Sequence, residues 1–339
     1  MKAVLRIALL AALSLAAGLP AGAQEKSWVG EWVMYTKPHK EIQFGDVVDG
    51  KQIYFPFSGI MPIKVRDERE GLMRIHDGRR EGWVDKADFV LVRDASAYFH
   101  RRVQANPKDT YALWMRGSGW WQKGEPDNAI KDFNEFIRLD PTVSAAFNAR
   151  GTAWYVKTDY DKAIADYNEA IRLDPEYAIA YNNRGAAWSD KKDYDKAIGD
   201  YNEAIRLNPE YVLAYNSRGN AWTRKNDYDK TIADYSEAIR LDPKFERAYN
   251  GLARLWATCP EAKYRFGKKA VESAKQALKL GPKSANHMDT LAAAYAESGD
   301  FAEAVRWQEK ALEDPGFKND PDMRRRLELY RDKKPYRQE

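Results

Sequence analysis

The sequence holds one cysteine in 339 residues, Cys259, and four histidines, His39, His76, His100 and His287. A lone thiol excludes an internal disulfide and leaves stability to packing; Cys259, beside Pro260, reads as a packing side chain. The histidines fall in unrelated contexts, with no His-Glu-x-x-His and no Gly-x-Ser-x-Gly nucleophile elbow. The stretch GSGWW at 117–121 lacks the strand-turn setting of a phosphate loop. No catalytic residue, metal or cofactor is therefore expected. Charged residues at 31% and a mean hydropathy of −0.71 exclude a polytopic membrane protein. A formal charge of only +4 gives no footprint for nucleic acid.

What is present begins with a targeting pattern. Lys2 and Arg6 precede an apolar run at 7–19, followed by Pro20 and the small triplet Ala21-Gly22-Ala23. Such a run is short for a membrane span, and residues 1–23 are expected to be a signal peptide. The mature chain is expected to be periplasmic or secreted, without an integral membrane span.

The rest is dominated by a period. FNARGTAW (147–154), YNNRGAAW (181–188) and YNSRGNAW (215–222) follow one another at 34 residues, as do Pro141, Pro175, Pro209 and Pro243. Each unit (110–143, 144–177, 178–211, 212–245) carries two stretches with apolar residues at helical spacing, the second opened by a capping aspartate such as Asp193 and closed by proline. One helical pair cannot bury its own apolar face, so the pairs must stack in series.

Phe147, Gly151, Trp154, Ala163, Tyr167, Ala170 and Pro175, with their counterparts in neighbouring units, resemble the tetratricopeptide repeat family. The resemblance implies a right-handed superhelix of helix-turn-helix repeats. It extends to a fifth unit with an insertion (246–284), a sixth (285–318), a half-repeat holding only the second helix (93–109), and a capping helix and tail (319–339). Residues 24–92 have a β-rich grammar, and REGWVDKADFVLV (80–92) is similar to bacterial SH3-like small barrels. The expected class is thus α+β multidomain, a small SH3-like barrel followed by an all-α solenoid. In the barrel family an aromatic groove receives extended or cell-wall peptides, but Trp28, Trp32, Tyr35, Tyr54, Phe55, Phe57 and Trp83 are each expected mainly in the core.

The residue before each repeat glycine, usually apolar in the family, is here Arg116, Arg150, Arg184 or Arg218. Asp132, Asp166, Asp200 and Asp234 recur in step, and a buried charge needs a partner. The spacing predicts a ladder of Arg150 with Asp166, Arg184 with Asp200 and Arg218 with Asp234; the alternative is that these arginines bind an acidic ligand.

First helices are expected to line the concave surface. There Asn148, Asn182, Asn216 and Asn250 form a row, one place earlier than in the family, joined by Asn220 one turn on; amides offer donors and acceptors to a peptide backbone. Tyr111, Trp114, Trp121 and Tyr155 form an aromatic end that is either a hot spot or packing. The family's basic clamp for a peptide C-terminus is not reproduced, since only Arg247 and Arg254 bring positive charge. The functional expectation is a non-catalytic adaptor for a protein or peptide partner. The alternative is an envelope-docking protein whose barrel binds peptidoglycan or a surface protein.

Overall fold

The computed structural model describes residues 32–35, 43–48, 51–56, 63–69, 71–76 and 81–338. Residues 1–23, expected to be a signal peptide, and Trp28 and Phe57 lie outside them. Two compact units divide the chain, residues 1–112 and 113–339.

In the first unit the strands are β1 (Trp32–Tyr35), β2 (Gln43–Val48), β3 (Lys51–Pro56), β4 (Ile63–Lys64), β5 (Asp67–Arg69), β6 (Leu72–His76), β7 (Glu81–Asp85) and β8 (Phe89–Leu91). Among the described residues they pair as two antiparallel sheets, β4-β1-β8 and β3-β2-β7-β6-β5. Period-two alternation explains β6: Met73 and Ile75 are buried while Leu72 and Arg74 between them are less so, and Met73 stands opposite buried Val84 of β7. Asp85 ends β7 by accepting the Ala87 N–H at 2.9 Å, which starts a 3₁₀ turn, Lys86–Asp88. Helix α1 (Val92–Ala105) then buries Ala95, Phe99 and Val103, spaced by four on one face.

Helix α2 (Thr110–Gln122) leads from the first unit into the second. The second unit continues with α3 (Pro126–Leu139), α4 (Ser144–Val156), α5 (Tyr160–Leu173), α6 (Ala178–Asp190), α7 (Tyr194–Leu207), α8 (Val212–Arg224) and α9 (Tyr228–Leu241). After these come α10 (Glu246–Thr258), α11 (Gly267–Leu280), α12 (Ala285–Ser298), α13 (Phe301–Ala311) and α14 (Pro321–Arg331). From α3 to α14 each helix packs on its sequence neighbours within the array. Their contacts bury small residues at the crossings: Ala163, Ile164, Tyr167 and Ala187 make one core cluster, with Trp154 and Trp188 packed against it. Ala197, Ile198, Tyr201 and Ala221 make the next, with Trp188 and Trp222.

Local chemistry sets the helix ends. The turns into α5, α7 and α9 place Thr158, Lys192 and Asn226 in the left-handed region, where Gly124 and Gly299 stand in other units. At the unit boundaries Asp174, Asn208 and Asp242 accept the N–H two residues on, at 3.1, 3.1 and 2.9 Å, folding the chain around the proline between.

Asp159, Asp193 and Asp227 cap α5, α7 and α9, each accepting the backbone N–H of the lysine three residues on at 3.3 Å. The ammonium groups of Lys162, Lys196 and Lys230, each 2.7 Å away, and those N–H groups hold the three carboxyls below the ordinary value of 3.8. A depressed folded value means stability that is present above 3.8 and lost as pH falls through the folded value. Asparagine caps about as well as aspartate but does not titrate. The triple variant Asp159→Asn/Asp193→Asn/Asp227→Asn should therefore lose less stability than the native chain between roughly pH 5 and pH 2.5, measured as urea midpoints. Parallel acid limbs for the two proteins would refute this.

Candidate functional site: a groove on the helical array

The repeated arginines are committed to the joints between helices. Arg150 Nε donates to Asp166 Oδ2 at 2.8 Å, Nη2 to Oδ1 at 2.5 Å, and Nη1 to Asn134 Oδ1 at 2.8 Å. One guanidinium thereby ties its own helix α4 to α5 and to α3 of the preceding unit. Arg184 repeats this with Asp200 and Asn168, and Arg218 with Asp234 and Asn202. Arg116 also pairs with Asp132, at 2.8 and 2.6 Å. All four aspartates are buried. Burial pushes the Asp166 and Asp200 carboxyls up even against the pull of their arginines. In the fifth unit buried Leu252 takes the arginine's place, and the ladder ends there.

A cavity of about 860 Å³ is lined by residues of the third to sixth units. Asn216, Asn220 and Asn250 line it together with Tyr235, whose hydroxyl donates to Asn220 Oδ1 at 2.6 Å. Gly251 also borders it; a Cβ there would stand 2.7 Å from the Tyr235 ring. On the far wall Ser284 Oγ lies 2.7 Å from His287 Nδ1, and burial pushes the imidazole below its ordinary value. Cationic side chains are Lys192, Arg224, Arg247 and Arg254. The chain's last residues form one rim: the Gln338 N–H donates to the Thr258 carbonyl at 2.9 Å, and Arg337 Nη1 lies 2.6 Å from Glu297 Oε2.

Several residues expected in the groove sit elsewhere. Asn148 Oδ1 accepts from Asn183 Nδ2 of the next unit at 3.0 Å, and Asn182 is 8% exposed and does not border the cavity. Trp114 packs on Phe133 and Phe136 at 5.6 and 5.7 Å between ring centroids. Tyr111 meets Phe99 edge-on at 6.0 Å, Tyr155 donates to Asp190 Oδ2 at 2.5 Å, and Trp121 is 44% exposed. Sequence reasoning missed Lys192, Arg224, Tyr235 and His287. A signal for Arg224 existed, because its counterparts one and two units earlier are Asp190 and Val156 in an otherwise repeated frame.

Helical pairs stacked in register beside an open cleft of amides and cations define a binding scaffold. Among the described residues no group of three or more His, Cys, Asp or Glu could hold a metal ion, and no helix is long and apolar enough to cross a membrane. Profiles described as tetratricopeptide repeat match residues 92–144, 178–211, 212–245 and 284–314, and one described as TPR repeat matches 151–188. These segments together cover more than half of the sequence, and the chain belongs to the tetratricopeptide repeat family. Arrays of this family are non-catalytic protein-interaction modules.

No curated protein matches the chain. Among solved structures it is similar to the APC/C hetero-tetramer Cut9-Hcn1, at 17% identity over 70% of this chain and 46% of that one, with a TM-score of 0.62. A tetratricopeptide repeat protein from Parabacteroides merdae aligns at 18% identity over 73% and 93% of the two chains, with a TM-score of 0.54. Yeast Tom70 aligns at 20% identity over 70% and 58%, with a TM-score of 0.51. These likenesses are of fold alone.

Proposed function

We propose that the protein is an exported adaptor that holds an extended segment of a protein partner in the groove of its helical array. The observation that carries this reading is the cavity of about 860 Å³, where Asn216, Asn220 and Asn250 offer both donors and acceptors to a polypeptide backbone. Export rests on the pattern of residues 1–23. Residues 24–92 are proposed as an SH3-like module, on the grounds of short antiparallel strands and the 3₁₀ turn between β7 and β8.

The test uses whole chains expressed with their leader, crosslinked in the native envelope and recovered with whatever they hold. Asn220 is exposed at the cavity, so Asn220→Trp fills the groove without entering a core. Loss of the captured partner with Asn220→Trp, and its retention with Trp83→Ala in the β unit, is the expected result. The reverse pattern, with sacculus binding lost in Trp83→Ala, would favour envelope docking through the β unit. The mass of the recovered chain checks export: it should begin after Ala23.

A further inference from the structure

We propose that the third, fourth and fifth units form a recognition site for an acidic stretch of polypeptide, whose side-chain carboxylates are taken by Lys192, Arg224, Arg247 and Arg254. This rests on the groove reading above and adds the chemical class of the segment.

The repeat itself serves as the internal control. Helix-facing positions of the joints scarcely vary from unit to unit, whereas three groove positions change character along the array. Ile179 and Leu213, 46% and 41% exposed, give way to Arg247. Thr152, Ala186 and Asn220 give way to Arg254, and Val156 and Asp190 to Arg224. Positions that are apolar, neutral-polar or acidic in earlier units thus become cationic at the point where the cavity opens.

These cations differ from the ladder arginines in having no close bidentate carboxylate partner among the described residues. Lys192, Arg224 and Arg254 form no ion pair among the described residues, and Arg247 reaches only Glu246, at 3.8 Å. The one carboxylate at the cavity, Asp190, already accepts from Tyr155. Arg224 and Arg254 line the same cavity. Both also border a second, smaller cavity of about 300 Å³, together with Arg325, Arg326 and the carboxylate of Asp322. With four cations against the single carboxylate of Asp190, the cleft is net positive, and its field selects the opposite sign.

Two features favour a polypeptide over a bare anion or a nucleic acid. Asn250 Oδ1 is buried without a protein donor among the described residues, an acceptor that a backbone N–H can satisfy and a bare anion cannot. Arg247 and Arg254 are seven residues apart on α10, or about 10 Å along its axis, which is the span of roughly three residues of extended chain. A single terminal carboxylate cannot bridge that distance; acidic side chains along a segment can.

The probe is fluorescein-labelled hexaglutamate with both ends blocked, titrated with the full chain and followed by anisotropy. Binding should weaken at least about tenfold in Arg224→Gln/Arg254→Gln, and fall steeply with added salt. It should persist in Lys268→Gln/Lys279→Gln, which removes the same charge from exposed sites on α11, and hexaglutamine should not bind. Circular dichroism spectra matching the native chain exclude misfolding of the variants. Equal affinity in both double variants, no binding of hexaglutamate, or tighter binding of hexauridylate would overturn the proposal. If Arg224→Gln/Arg254→Gln still captures the native partner while Asn220→Trp does not, the acidic class falls and the groove reading stands. If both capture it, the groove reading falls as well.

Discussion

Arg184→Leu should destabilise the array by about 3–5 kcal/mol, while Arg184→Leu/Asp200→Leu recovers most of that loss. The single change leaves Asp200, only 7% exposed, ionised with no counter-charge, and also cuts the link from Arg184 to Asn168 of the preceding unit. Removing both charges ends the desolvation cost and puts apolar atoms in the same space. Burial already raises the Asp200 carboxyl with Arg184 in place. A raised value means that the folded state binds this proton more tightly than the unfolded chain. The penalty is therefore present above the folded value and relieved as pH falls through it, so the deficit of the single variant should shrink toward acid. Guanidinium midpoints at about pH 7 and about pH 4.5 measure both effects. A double variant no more stable than the single one would show that the pair contributes more than it costs.

The second large effect comes from two glycines whose substitutions should have opposite signs. Gly185 lies where α6 crosses α7, and a Cβ built on it would stand 2.7 Å from Tyr201 Cε1, in a ring that is 2% exposed. Real carbon contacts do not come so close, so Gly185→Ala should cost about 1–3 kcal/mol despite alanine's better helix propensity. Gly199, on the outer side of α7, has nothing within 4 Å, and its counterparts are Ala165 and Ala233. Gly199→Ala should add about 0.5–1 kcal/mol. Thermal melts of the two variants decide the point; the same sign in both would show that the crossing at Gly185 gives way.

Those glycines also explain how much of the fold was legible. The 34-residue period is written in small residues at crossings and prolines at boundaries, both demanded by backbone geometry, and so it is readable without any structure. Pairing of Arg184 with Asp200 lies within one unit and follows from helical spacing. The reach of Arg184 to Asn168 crosses between units and depends on the superhelix, which no single-helix pattern encodes. For the same reason the asparagine row was read as a uniform lining, whereas Asn148 is engaged with Asn183 and only Asn216 and Asn250 of that row border the cavity. Charges such as Lys192 and Arg224 show only as departures from the repeated frame, and a departure does not say by itself where the side chain lies. In the first unit the β-rich character of 24–92 was legible from residue types, while pairing across distant strands is set by the sheet rather than by any local stretch.

The joints have a consequence for how such a chain can change. Lys191 meets Asp161 and Lys225 meets Asp195 across successive boundaries, as Arg184 meets Asn168 and Arg218 meets Asn202. Every seam between the second, third and fourth units is therefore sewn with the same stitches. A copied or excised 34-residue block would find matching edges on both sides, so the array can grow or shrink by gene duplication without refitting its neighbours, and the distance between its two ends is open to selection as a ruler.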